Sequence, residues 1–333
     1  MIAAETNRLP YHCVVSITDA CNIRCVHCYG ASAKRSPNEL TTDELKSLLT
    51  ELADIGVFDV AISGGEALIR SDALELIRFG TRKGLNIGLG TNGWFLTDEC
   101  VNELVDTGVN RVQVSIDGTE ITHDKFRRRL GLYQKALDGI DRLIDKNLTT
   151  NVCFTPTRLN IDDFELVVQE CVSRGVYSVN FSQYVPTGRG NDQLDFTSSE
   201  WNRIMESFQA VKLKYQGKIR FTSHLAQLAL IDETVCSQPG FVGCQAGISQ
   251  AAVSATGDIF PCVLLPYAIG NVRKGGFAAQ WSRRKTIAQL QLRDLSPGKC
   301  RNCNLLSSCG GCRATAYSHH GNLFGDDPHC WKV

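Results

Sequence analysis

The sequence predicts an α/β fold, a partial (β/α)6 barrel followed by a small cysteine-rich unit. Three observations predict it. Six strand-like runs between residues 14 and 186 alternate with amphipathic helical segments, the pattern of a parallel sheet with helical crossovers. Six such units fall short of the eight that close a barrel, so the barrel is expected to stay open. Beyond residue 235 the alternation gives way to short Cys- and Gly-rich segments. The expected organisation is a barrel over 10–200, a helical bridge over 201–234 and the cysteine-rich unit over 235–333.

In order, the strands are VVSITDA (14–20), FDVAISG (58–64), NIGLGTN (86–92), RVQVSID (111–117), TTNVCFTPT (149–157) and SVNFSQYVP (178–186). After the first, TTDELKSLLTELADIG has a capping box at Thr41 and Glu44, an apolar stripe of Leu45, Leu48, Leu49 and Leu52, and a stop at Gly56. The segments Thr97–Gly108 and Ile161–Gly175 repeat that grammar. In EWNRIMESFQAVKLKY (200–215), Trp201, Ile204, Met205, Phe208 and Val211 form one stripe, a packing helix that bridges to the last unit.

Strand parity adds a prediction. Val112, Val114 and Ile116 alternate with Gln113, Ser115 and Asp117. Val152 and Phe154 alternate with Asn151, Cys153 and Thr155, and Val179 and Phe181 with Asn180, Ser182 and Tyr184. Helices cover the apolar face, so the polar face lines the inside. Closed barrels fill their lumen with branched apolar side chains; polar linings point to a hollow, ligand-holding barrel, with a half-exposed sheet as the competing reading.

Composition narrows the function. The 35 basic and 35 acidic side chains cancel, which gives no electrostatic reason for a nucleic acid or an anionic membrane as partner. No apolar run is long enough to span a bilayer, and MIAAETNRLPYH lacks the layout of a secretion signal. A cytoplasmic, reducing location is expected, where thiols serve metals or catalysis rather than disulfides. Of fifteen cysteines, three fall in TDACNIRCVHCYG (18–30) and eight between Cys236 and Cys330. Only Cys13, Cys100, Cys153 and Cys171 lie elsewhere.

Cys21, Cys25 and Cys28 are spaced C-x3-C-x2-C in the loop leaving the first strand, at the barrel mouth where such folds place their active sites. Three thiolates can hold three corners of a four-iron, four-sulfur cluster and leave one iron open. A zinc site borrowing His27 or a distant ligand is the alternative, but structural zinc closes its tetrahedron. The stretch resembles the signature of the radical S-adenosylmethionine (SAM) superfamily, with His27 at its aromatic position. The resemblance implies that SAM occupies the open iron and that one electron breaks its C–S bond. The 5′-deoxyadenosyl radical so released then removes a substrate hydrogen atom. Further motifs end successive strands. SGGEAL brings Gly64, Gly65 and Glu66, the family's holder of the SAM ammonium; GTNG brings Asn92; SIDG brings Ser115 and Asp117 as ribose or carboxylate contacts. In HDKFR, Arg127 resembles an arginine that pairs the SAM carboxylate, and PTGRG (186–190) resembles a segment that approaches the adenosine. The family's glycine-rich fifth strand is replaced by TNVCFTPT, so no adenine contact is carried onto it, and Cys153 there is read as an inert thiol. No catalytic acid or base is identified.

The C-terminal unit carries Cys244-x12-Gly257-x4-Cys262, then Cys300-x2-Cys303-x5-Cys309-x2-Cys312 and Cys330. This resembles the SPASM extension, with two residues rather than the usual three before Cys312. The resemblance implies two auxiliary four-iron clusters, one on Cys236, Cys244, Cys262 and Cys312, the other on Cys300, Cys303, Cys309 and Cys330. Three [4Fe-4S] clusters and SAM are thus the expected cofactors, with an external one-electron reductant. One or two zinc sites are the alternative.

The substrate implied first is a small ribosomally made precursor peptide, to be oxidised, cross-linked, excised or epimerised. With twelve residues before Cys13, leader binding would fall to a separate protein. The second is a tetrapyrrole side chain: Asp327-Pro328-His329-Cys330 and GGCRA (310–314) look like haem-pathway members, and Arg127, Arg128, Arg129 and Arg189 could meet propionates. A sugar or nucleoside is third.

Overall fold

The computed structural model describes residues 8–223, 225–238, 241–293 and 298–332; most of the opening segment read above lies outside them. Its strands are β1 (His12–Ser16), β2 (Asp59–Ser63), β3 (Asn86–Thr91), β4 (Arg111–Ser115), β5 (Thr150–Phe154), β6 (Ser178–Phe181), β7 (Arg220–Thr222), β8 (Gln250–Val253), β9 (Asp258–Phe260) and β10 (Gly270–Asn271). They form one sheet in the order β10-β9-β8-β1-β2-β3-β4-β5-β6-β7. Every pair from β8 to β7 is parallel, and β8, β9 and β10 pair antiparallel.

The six expected strands are the centre of this sheet, each shorter than its apolar run. The covering helices are α1 (Thr42–Asp54), α2 (Ala73–Arg82), α3 (Asp98–Thr107), α4 (Glu120–Arg127), α5 (Leu132–Asp145), α6 (Phe164–Arg174) and α7 (Ser198–Lys214). Thr41 and Glu44 form the expected reciprocal cap, at 3.2 and 2.8 Å. Gly108 and Gly175 end α3 and α6 with left-handed φ of 75° and 77°. α7 starts at a second capping box, Thr197 and Glu200.

Two features go beyond the expectation. The bridge is not helical throughout: α7 works as another crossover and delivers β7 beside β6. At three residues, RFT is too short to show a period. The cysteine-rich unit also does not build its own sheet. β8 joins β1, with Cys13 opposite Ala251 and Val15 opposite Val253. One core accordingly runs through both parts and holds Val15, Val60, Val152 and Trp201 together with Phe277 and Trp281.

At the N-terminal end of the strands, Asp59 ties four of them together. Its carboxylate accepts from Asn86 Nδ2 at 2.6 Å and from Arg111 Nη1 and Nη2 at 2.7 and 2.8 Å, and pairs His12 Nδ1 at 2.5 Å. Burial alone would raise this carboxyl, but His12 and Arg111 outweigh it and lower it to about 2. A depressed carboxyl stabilises the fold above its unfolded value and loses that contribution as pH falls through the folded one. Asp59→Asn is therefore expected to cost about 2 kcal/mol at neutral pH. Its deficit should shrink between about pH 4 and 2, read as urea midpoints against pH.

Among the described residues no helix is long and apolar enough to cross a membrane.

Candidate metal centre

The loop after β1 is held from three sides. The Val26 amide donates to the Phe126 carbonyl at 3.0 Å, joining the loop to α4. Arg24 Nη1 donates to the carbonyls of Cys21 and Ile23 at 2.7 and 2.9 Å. The third side is PTGRG. Arg189 donates from its amide to Cys28 O and from Nε to Cys25 O, both at 3.0 Å, and from Nη1 to Ser32 O at 2.9 Å. Gly188 has φ 64°, and a Cβ there would lie 2.3 Å from Tyr29 O, so only glycine permits this approach. The segment expected near adenosine thus clamps the cysteine loop, and Arg189, a propionate candidate in the sequence, spends its donors on carbonyls.

Within the loop, Cys25 is buried with Ile23 and Leu132, and Cys21, Cys28 and Trp94 pack around them. Cys21 and Cys25 both lie within electrostatic reach of Cys28. Burial pushes the Cys25 thiol up to about 12, with Arg127 opposing.

Gly64 and Gly65 press on the start of this loop. A Cβ on either would fall 2.4 or 2.3 Å from the carbonyl oxygens of Thr18 and Ala20. That approach lets the Gly65 and Glu66 amides donate to those oxygens at 2.7 and 2.9 Å. The Glu66 carboxylate is fully buried. It accepts from the Asn92 amide at 2.7 Å, Thr91 Oγ1 at 2.9 Å and the Leu68 amide at 3.3 Å. Burial raises its carboxyl against these donors. Asn92 Nδ2 donates to Asn22 Oδ1 at 2.8 Å. Asn22 Nδ2 is itself buried without a partner among the described residues, a spare donor beside Cys21.

Asp117 and Arg127 meet each other. Arg127 Nε and Nη2 lie 2.7 and 2.6 Å from Asp117 Oδ2, and Arg127 Nη1 lies 3.9 Å from Cys25 Sγ. Asp117 Oδ1 accepts from the Thr155 amide at 2.8 Å, and His123 Nδ1 accepts from the Asp117 amide at 3.0 Å. Burial would raise the Asp117 carboxyl, but Arg127, His27 and His123 hold it below its usual range. His27 is lowered to about 4, chiefly by burial, and stacks on Phe126. The arginine that the resemblance assigns to the SAM carboxylate is thus engaged by its own chain. Arg128 and Arg129, its neighbours in sequence, are exposed, so the four arginines do not form one site.

Ser115 and Cys153 sit opposite each other in β4 and β5. With Gln113, Asn151, Asn180 and Ser182 they are half-buried, whereas the alternate apolar residues are buried, as the parity predicts. Asp117 and Tyr184 depart from that set: both are buried, and the Tyr184 hydroxyl donates to Asn191 O at 3.0 Å.

Six of the C-terminal cysteines fall into two neighbourhoods. Cys244 lies within electrostatic reach of Cys262 and Cys312, and Cys330 within reach of Cys300 and Cys309. They abut: the Cys244 amide donates to Cys309 O at 2.9 Å, and the Gly311 amide to Cys309 Sγ at 3.4 Å. Cys236 lies in the turn Glu233–Ser237 and Cys303 just after the turn Gly298–Asn302. One zinc ion needs four donors at about 2.3 Å from a point. Among the described residues no three His, Cys, Asp or Glu side chains converge in that way. Two guanidiniums, the half-buried Arg293 and the buried Arg313, fit anionic clusters beside them. Arg293 donates to the carbonyls of Val242 and Cys244. Arg313 donates to Gly311 O at 3.1 Å and Gly325 O at 2.9 Å, and its buried Nη2 has no partner among the described residues.

Sequence reasoning missed the seam between the two parts. Asp195 accepts from or pairs with His329 Nε2 at 3.0 Å and His319 Nε2 at 2.9 Å. His329 also stacks on Trp201 at 5.1 Å. Asp327 accepts from the Cys312 amide at 2.7 Å and Gln227 Nε2 at 2.6 Å. The DPHC ending marked the place but not these partners, which, Cys312 apart, lie a hundred residues or more away.

Residues 15–171 match the model of the radical SAM superfamily, and 244–304 that of SPASM, an iron–sulfur cluster-binding domain. The chain is 34% identical over 328 residues to the AdoMet-dependent heme synthase of Methanosarcina barkeri, covering 94% of each. It is 29% identical to the mycofactocin maturase MftC of Mycolicibacterium smegmatis, covering 94% of this chain and 81% of that one. The fold is similar to crystallised Streptococcus suis SuiB bound to S-adenosylmethionine, with a TM-score of 0.79 at 15% identity, over 98% of this chain and 78% of that one. The chain therefore belongs to the radical SAM superfamily, as a radical SAM enzyme with a SPASM domain, and its cofactors are a SAM-binding [4Fe-4S] cluster and auxiliary clusters.

Proposed function

We propose that this enzyme modifies the side chains of a tetrapyrrole. The observation that carries the reading is the alignment with a heme synthase at 34% identity over 94% of both chains. A second heme synthase, from Nitratidesulfovibrio vulgaris, supports it at 30% identity. Peptide maturation is the second reading, favoured by the likeness to MftC.

When bound, the SAM-binding cluster and SAM supply one-electron cleavage of the sulfonium and a radical that takes a substrate hydrogen, and the auxiliary clusters supply an acceptor for the electron left behind. In this reading Cys21, Cys25 and Cys28 ligate the first cluster, whose fourth position is left to SAM. Gly64, Gly65, Glu66 and Asn92 form the wall beside Cys21 that meets the SAM amino group, with Glu66 held ready by Thr91 and the Asn92 amide. Ser115 faces SAM from the lumen. The buried Asp117–Arg127 pair positions Cys25 rather than contacting SAM directly. Cys236, Cys244, Cys262 and Cys312 hold one auxiliary cluster, and Cys300, Cys303, Cys309 and Cys330 the other. A leader-binding partner has no role with a tetrapyrrole and returns only with the peptide reading.

The test is anaerobic reconstitution followed by incubation with SAM, dithionite and an iron porphyrin carrying propionates. Formation of 5′-deoxyadenosine together with a porphyrin mass change is expected. An unchanged porphyrin beside a modified precursor peptide would overturn the tetrapyrrole reading and leave the radical chemistry intact.

A further inference from the structure

Five cations gather over the outside of the cysteine loop. Arg24 lies in the loop itself, Lys125 on α4, Arg128 and Arg129 just after it, and Lys135 on α5; all are exposed. The Val26–Phe126 hydrogen bond brings these segments together. Elsewhere Arg35, Arg70, Arg111, Arg158 and Arg174 face carboxylates within 3.3 Å. None of the five has an ion pair among the described residues. Arg24 donates to loop carbonyls instead, and Arg129 and Lys135 lie over the Trp94 ring at 4.0 and 5.1 Å. Two large apolar side chains stand among them, Leu130 at 91% exposed and Ile121 at 83%. Ile121 and Lys125 are one helical turn apart, on one face of α4. Trp94 in turn packs against the cluster of Cys21, Cys25, Cys28 and Leu132. Trp94 thus links this surface to the packing of the cysteine loop.

We propose that this face docks an acidic one-electron carrier protein, with Trp94 between the carrier and the cysteine loop. The proposal rests on the reading of Cys21, Cys25 and Cys28 as ligands of the SAM-binding cluster. That cluster must receive one electron per turnover. The carrier's own cofactor loses one electron and the cluster gains it, with no bond made or broken. A chain of zero net charge has no overall field to attract such a donor, so attraction has to be local. Unpaired cations around an apolar centre supply it: charge steers the encounter, and Leu130 and Ile121 provide area to bury. Arg128 and Arg129, unclaimed by the buried site, find their use here.

The test compares R129E/K135E with wild type and with K212E/K218E, whose lysines lie where α7 leads into β7, at the opposite end of the strands. Reconstituted holoenzymes are titrated with oxidised flavodoxin at low salt, and cluster reduction by reduced flavodoxin is followed in stopped flow. R129E/K135E is expected to weaken Kd and slow reduction, each about tenfold, and to lose the salt dependence seen in wild type. Dithionite-driven SAM cleavage should be unchanged in all three. Equal binding and reduction in R129E/K135E and wild type would overturn the proposal, as would an equal loss in K212E/K218E. A raised KM for porphyrin with unaltered reduction by flavodoxin would assign the face to substrate instead. If wild type fails to cleave SAM with dithionite, the cluster reading falls, and the Kd comparison still decides whether the face docks the carrier.

Discussion

Cys25→Ala is expected to bring SAM cleavage to background and to lower the iron content by about four atoms per chain, one cluster's worth. Cys25 is the most buried of the three loop thiols, enclosed by Ile23 and Leu132, so no other side chain can take its place. Losing one buried sulfur costs the fold little, about 1 kcal/mol, so the protein should remain folded. Iron analysis, 5′-deoxyadenosine formation and a urea midpoint from one preparation separate the outcomes. An unaltered iron count with normal SAM cleavage would remove Cys25 from the ligand set. Cys153→Ala is the companion control, because that thiol belongs to neither cysteine group and should keep the full iron complement.

Arg127→Met should be the most damaging single change to stability. It leaves Asp117 fully buried without its cation, and breaking a buried pair from one side costs about 3–5 kcal/mol. The effect has a pH signature. In the native protein Asp117 is held below its usual range, so the pair contributes above the unfolded value and is lost as pH falls through the folded one. In the variant, burial dominates and raises the carboxyl, so the deficit grows as pH rises and shrinks in acid. Urea midpoints at pH 5 and pH 8 should diverge accordingly. Asp117→Asn added to Arg127→Met should recover part of the loss, since it removes the stranded charge. Equal deficits at both pH values would show that Asp117 is not the group responsible. Because Arg127 Nη1 approaches Cys25, iron occupancy at the N-terminal site should fall with stability.

The barrel was legible because its signals are local. Caps at Thr41 and Thr97, stops at Gly108 and Gly175, and the parity of Val112, Val114, Val152 and Phe154 each need only a few neighbouring residues. The cysteine groups were legible for the same reason, as spacing carries them. What escaped was set by partners distant in sequence. β7 is three residues long and exists because β6 offers an edge. The pairing of Arg127 with Asp117 and the grip of PTGRG on Cys25 and Cys28, across some 160 residues, have no signature in the local sequence. The seam from Asp195 to His319 and His329 has no local pattern beyond the DPHC ending.

The pairing of β8 with β1 makes the strand that launches the N-terminal cysteine loop an interior one. Cutting the chain after residue 235 would strip that strand of a neighbour and leave an apolar backbone edge open to association with other molecules. A severed barrel should accordingly clump before it can be loaded with iron. The tail is thus no detachable accessory: the radical-generating end of the protein has its sheet edge covered by the end that carries the auxiliary thiols.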